Sequence, residues 1–126
     1  MFAGKDCFYV RYLNQSHMTT PHFFQISDIN QARAGAGKRY LEFLRIPAMS
    51  AGLYTLTKDA TDPQKPHNED ELYYVIRGRA RMRINSEEQS VQAGTVIFVE
   101  AHADHRFFDI TEDLEVLVFF APAETE

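Results

Sequence analysis

The chain has 126 residues, with 13 basic against 18 acidic side chains, a net charge of −5 and 44% hydrophobic content. Those figures fit one globular domain with a sizeable core and exclude disordered and fibrous classes. The acidic balance argues against a nucleic-acid partner, the longest apolar run (Val116 to Ala121) is far too short for a membrane span, and a lone Cys7 excludes an internal disulfide framework.

Residues 1–38 carry little regular pattern and are expected to form an N-terminal extension with an edge strand. Lys5, Asp6 and Arg11 interrupt any leader-like apolar stretch, so a cytoplasmic protein is expected. Met18-Thr19-Thr20-Pro21 reads like a natural start. Residues 1–17 are therefore either an upstream extension or an edge strand through Phe8-Tyr9-Val10. Asp28 is placed to cap one helical turn reaching Ala32, and Ala34-Gly35-Ala36-Gly37 breaks it. From Arg39 the texture changes to strands punctuated by turns. Tyr40 to Ile46 alternates until Pro47, and Gly52 to Thr57 follows before the turn-rich stretch Lys58 to Pro63. Leu72 to Ile76 is a continuous apolar and aromatic run ending at Gly78. Ala80, Met82 and Ile84 then alternate with Arg79, Arg81 and Arg83, a period of two. Asn85-Ser86-Glu87-Glu88 suits a hairpin loop before Gln89 to Gln92. Thr95 to Val99 and Leu114 to Phe120 are further strands, and residues 123–126 read as a loose acidic tail. Seven or eight short strands without a long helix predict an all-β sandwich or barrel over residues 39–122.

The chemistry-bearing stretch runs from Gln64 to Gly78. In an unbroken strand, residues an even number apart share a face, so His67 and Glu71 project together with Glu69 between them. An imidazole beside a carboxylate is a good pair for a divalent metal, although a strand end bearing solvated acids has the same look. A second stretch, Gly94 to Asp109, adds His105.

Together the two stretches resemble the cupin superfamily. His67, three residues, Glu71, six residues and Gly78 match the latter part of its first motif, while Gly94 and His105 match its second. The resemblance covers about Arg39 to Pro122. It implies a small single-domain cupin: a jelly-roll barrel, or double-stranded β-helix, holding a metal by three histidines and a glutamate. Carried over, the ligands are His67, Glu71 and His105. The first histidine of the family's His-x-His falls at position 65, where this chain has Lys65. A charged lysine has no acceptor and cannot ligate a cation. Two histidines and one carboxylate still form a facial triad; the alternative is a degenerate site in which Lys65 pairs with Glu71. Asp59 and His102 stand at family glycine positions, and both residue types tolerate a left-handed backbone. His102 belongs at the barrel rim, with substitute ligation as the second reading.

Gln64, Lys65, Tyr54, Tyr73 and Phe107 are candidates to line the cavity and bind a substrate. Arg77, Arg79, Arg81 and Arg83 read as a solvated face, or a docking face for an anionic partner, with Glu112, Asp113 and Glu115 available to pair with them. The expected function is that of a metal-binding cupin, with Fe, Mn, Ni or Zn, acting on or binding a small molecule. Dioxygenase and isomerase chemistry both suit such a site. The alternative is a non-catalytic ligand-binding cupin with a lost metal site. A homodimer is expected, through Phe8-Tyr9-Val10 or the edge at Tyr40 to Leu44.

Overall fold

In the computed structural model, which describes residues 22–125, the alternation of the sequence becomes an alternation of faces. One helix, α1 (Ile26–Gly35), precedes six strands: β1 (Tyr40–Ile46), β2 (Met49–Leu56), β3 (Asp70–Ile84), β4 (Glu87–Gln92), β5 (Val96–Val99) and β6 (His105–Ala121). Every strand pairing is antiparallel. The order is β1-β2-β6-β3-β4, with β5 also paired to β3. The fold is all-β, a double-stranded β-helix. Among the described residues no helix is long and apolar enough to cross a membrane.

The strands are fewer and longer than the sequence predicts. Gly78 does not end a strand; β3 runs through it with φ at 103°. Register shifts on either side of Gly78 insert bulge geometry, so inward residues are Glu71, Tyr73 and Val75 before it, and Ala80 and Met82 after it. One extra residue moves the pattern from odd to even positions and bends the strand without turning its apolar side to water. Asp109, with φ at 48°, marks the same kind of change in β6, between inward Phe107 and inward Leu114, Val116, Val118 and Phe120. Both long strands thus serve two parts of the barrel: β3 joins two predicted strands, and β6 extends the predicted strand at Leu114 to Phe120 back to His105, over residues for which none is predicted.

Two apolar clusters flank the sheet. The barrel interior holds Tyr40, Tyr54, Leu56, Tyr73, Val75, Met82, Phe107, Val116, Val118 and Phe120. The outer face of β1 and β2 presents Leu41, Phe43, Ala51 and Leu53 to Ile29 of α1. Hence β2 is buried on both sides. The helix is ten residues long, not one turn, and starts at Ile26 with Gln25 before it; Asp28 lies in its first turn. Ile26, Ile29 and Ala32, spaced by three, pack on that outer face, so burial holds a segment whose propensities alone are poor. Gly37 (φ 66°) then turns the chain toward β1. Phe8-Tyr9-Val10 lies outside the described residues.

The arginine row is answered by acids on the neighbouring strand. Arg79 meets Glu112 at 3.2 Å and Arg77 meets Glu115 at 3.8 Å, while Asp113 instead accepts the Lys58 backbone N–H at 2.8 Å. Leu72 and Tyr74 are exposed beside their β5 partners Phe98 and Val96.

Gly78 cannot take a side chain without strain, since its φ is 103° and a Cβ there would overlap the Asp113 carbonyl. Gly78→Ala should lower stability by about 1–3 kcal/mol from backbone strain alone, with a larger loss once that overlap is included. A urea midpoint unchanged from wild type would contradict the bend assignment.

Candidate metal centre

Register builds the site. β3 pairs with β6 so that Glu71 lies opposite Phe120 and Ile84 opposite His105. Both Glu71 and His105 point inward and are 1% exposed. His67 precedes β3, outside any regular element, yet is equally interior; its carbonyl accepts the His102 backbone N–H at 2.7 Å. The left-handed His102 (φ 70°) makes that turn while its side chain stays exposed, and Asp59 (φ 65°) does likewise.

His67, Glu71 and His105 offer ligand atoms that all lie within 4.8 Å of one another. His105 Nε2 stands 3.2 Å from Glu71 Oε1, and His67 Nε2 stands 3.8 Å from the same oxygen. Adjacent ligands on one ion, with bonds of about 2.0–2.2 Å, sit roughly 3–3.5 Å apart. Both Glu71 oxygens and His105 Nε2 are buried without an aligned hydrogen bond. Buried polar atoms need partners in a protein interior, and three that converge on one point fit the ligand set of a cation. His105 Nδ1 donates to the Ala103 carbonyl at 3.0 Å, which leaves Nε2 facing Glu71.

The electrostatics of the cluster are set by burial and by the contact between Glu71 and His105. Burial pushes the Glu71 carboxyl up, partly opposed by His105. Burial pulls His105 down, but the Glu71 carboxylate outweighs it and the net shift is upward. The two groups therefore share one proton where a cation would lie. Burial and the neighbouring His105 push His67 down to about 3, despite carboxylates at 3.8 and 3.5 Å from its ring.

The residues expected to line the cavity divide. Tyr54, Tyr73 and Phe107 are in the barrel core. Tyr73 packs edge-on to Phe107 with ring centroids 5.1 Å apart, and its buried hydroxyl lies beside Glu71. Gln64 is interior, with its amide oxygen 3.1 Å from His67 Nε2, whereas Lys65 is exposed. No strand runs through residues 61–69, so the alternation that would bring position 65 inward does not apply, and Pro66 helps set the phase. Lys65 consequently does not take the place of a ligand against Glu71.

Two interior acids carry no signal in the sequence. Asp62, in the turn-rich stretch after β2, accepts from the Tyr54 hydroxyl at 2.7 Å and the Phe107 N–H at 2.9 Å. Glu124, read as part of a loose tail, is 2% exposed, with Oε2 3.5 Å from His67 Nδ1. Loop residues have no periodicity, so no local pattern marks either one. At the same end of the barrel as Ile84, an open cleft of about 530 Å³ is lined by Met82, Ile84, Val91 and Ile97 and rimmed by residues 85–89. Its size suits a small molecule.

A family model for the cupin domain matches residues 52–120. An uncharacterised protein of Streptomyces coelicolor is 44% identical over 102 residues, covering 81% of this chain and 97% of its own. The crystal structure of TT1209 from Thermus thermophilus superposes with a TM-score of 0.65 at 23% identity, covering 82% of this chain and 99% of that one. An RmlC-like cupin from Shewanella frigidimarina gives 0.60 at 20% identity, over 67% and 75%.

The Tyr54–Asp62 contact generates a test that needs no metal. Tyr54→Phe strips a buried carboxylate of one donor and should destabilise the protein by about 1–3 kcal/mol. Chemical denaturation reads it; no change would mean that water replaces the hydroxyl.

Proposed function

Because the chain belongs to the cupin domain family, we propose that it holds one divalent cation through His67, Glu71 and His105 and binds or transforms a small molecule in the barrel. The observation that carries this reading is the convergence of His67, Glu71 and His105, whose ligand atoms are buried and lie within 4.8 Å of one another. Two imidazoles and one carboxylate suit Fe, Mn, Ni or Zn without choosing among them. When bound, such an ion supplies Lewis acidity and open coordination positions for an oxygen-bearing ligand.

The chain's own residues prepare the surroundings. Tyr73 stays protonated, because burial and the nearby Glu71 raise its phenol; its hydroxyl is a donor for a bound molecule. Asp62 ties Tyr54 to the backbone of Phe107 and so holds two walls of the interior in one geometry. Met82, Ile84, Val91 and Ile97 offer an apolar bed for the non-polar part of a ligand. The chemistry is assigned to the oxygenase or isomerase class. Turnover on a substrate panel under aerobic conditions tests that assignment, and binding without turnover favours a ligand-binding role instead. Pairing of two copies belongs to the same proposal, supported by the β1 edge and by exposed Leu72, Tyr74, Val96 and Phe98. A monomer by light scattering at high micromolar concentration would remove it.

Metal analysis of protein purified without chelator should give about one ion per chain, and His67→Ala or His105→Ala should abolish it; absence of metal even at millimolar supply overturns the reading. Gln64→His places a third imidazole beside His67 and should raise affinity, whereas Lys65→His, on the exposed side, should leave it nearly unchanged. Cation binding must expel the proton shared by Glu71 and His105. His67 stays neutral far lower in pH, so only one proton competes. Affinity should therefore fall about tenfold per unit as pH drops below the His105 pKa, which lies above the ordinary imidazole value of about 6.5. Calorimetric titration between pH 5 and 8 reads the slope, and a flat profile contradicts the shared proton.

A further inference from the structure

We propose that Glu124 is a positioning residue that sets the tautomer of His67 and thereby presents Nε2, not Nδ1, to the cation; the cation's part in this rests on the metal reading above. An ionised carboxylate is an acceptor only. Glu124 Oε2 lies 3.5 Å from His67 Nδ1, and both side chains are buried, at 3% and 2% exposure. The contact is not an aligned hydrogen bond, yet an anionic oxygen 3.5 Å from Nδ1 in the protein interior favours a hydrogen on that nitrogen over the other. A neutral imidazole has only one such hydrogen, so Nε2 carries the lone pair. Nε2 is also the nitrogen that faces Glu71 Oε1. His105 shows the same design with a different acceptor, since Ala103 O receives its Nδ1–H and Nε2 faces the same oxygen. Gln64 is the competitor: its amide oxygen stands 3.1 Å from Nε2, and the assignment requires the amide turned over, so that its NH2 donates to the Nε2 lone pair.

The backbone around Glu124 is fixed from several sides, as a positioning role requires. Its N–H donates to Ser50 Oγ at 2.9 Å, and its carbonyl accepts from Arg45 Nη2 at 2.9 Å. Arg45 is in turn gripped by the buried Glu42 carboxylate at 2.7 and 2.9 Å. On one side Ala123 N–H donates to the Pro47 carbonyl at 3.3 Å. On the other, Thr125 donates its N–H and hydroxyl to Glu69 Oε2 at 3.1 and 2.6 Å. The segment after β6 is thus strapped to β1, β2 and the entry to β3, with one carboxylate delivered to the back of His67.

The test uses the full chain, 15N-labelled and metal-free, with long-range proton–nitrogen correlation spectra of the histidine rings. Wild type should show His67 protonated at Nδ1. Glu124→Gln, which keeps shape but offers a donor as well as an acceptor, should give mixed tautomers at His67 and leave His105 unchanged. Zn2+ titration by calorimetry should then show affinity weaker by about 10–100-fold, the usual effect of losing a group that orients a ligand. An Nε2-protonated His67 in wild type overturns the proposal and needs no variant to fold. So does a Glu124→Gln protein with the wild-type tautomer and unchanged Zn2+ affinity. If wild type binds no Zn2+, the metal reading falls, while the ring spectra still decide the role of Glu124.

Discussion

Glu71 is a carboxylate buried at the centre of a β-barrel, and most of the interior is arranged around that fact. Desolvating an ionised carboxylate costs several kcal/mol unless it is paired or metal-bound. His105 on β6 supplies the nearest compensation at 3.2 Å. Tyr73, two residues along β3, brings a phenol to the same place. The pairing of β3 with β6 places both groups, so the register of these strands is also the register of the site. A slip by one residue would turn Glu71 and Tyr73 outward together. Tyr54 and Asp62 form a second buried polar pair at the Phe107 end of this wall.

How much of this the sequence discloses depends on whether a residue sits in a regular strand. Glu71, Tyr73 and Val75 are spaced by two, so that they share a face is legible from strand geometry, although the continuous apolar run Leu72 to Ile76 does not itself say which face is inward. The left-handed turns at Asp59 and His102 are legible too, because asparagine-like and imidazole side chains are among the few that accept them. Gln64, Asp62 and Glu124 are different. Each lies in irregular backbone, where direction is set by contacts with distant segments: Gln64 by His67, Asp62 by Phe107, Glu124 by Arg45 and Ser50. Polar residues in such places look solvated on paper. The same reasoning explains the merged strands. A glycine at φ 103° reads as a stop, yet here it is the bend that lets β3 continue.

The arginine row on β3 shows how a charged pattern can be absorbed locally. Arg79 and Glu112 are both mostly exposed, at 61% and 59%. Pairs of that kind contribute little to stability, but they neutralise each other and leave less free charge to attract an anionic partner. Arg81 adds a ring contact, lying 5.8 Å above the centroid of Phe108.

The strand order has a consequence for assembly in time. β6 is the last strand in chain order and yet lies between β2 and β3 in the sheet. Without it, the hairpin of β1 and β2 has no strand pairing to β3, β4 or β5. The central pairing therefore joins segments far apart in sequence, which slows folding relative to proteins built from local contacts. Glu71 on β3 and His105 on β6 belong to opposite sides of that same pairing, so the candidate cation site is complete only when the two strands are joined.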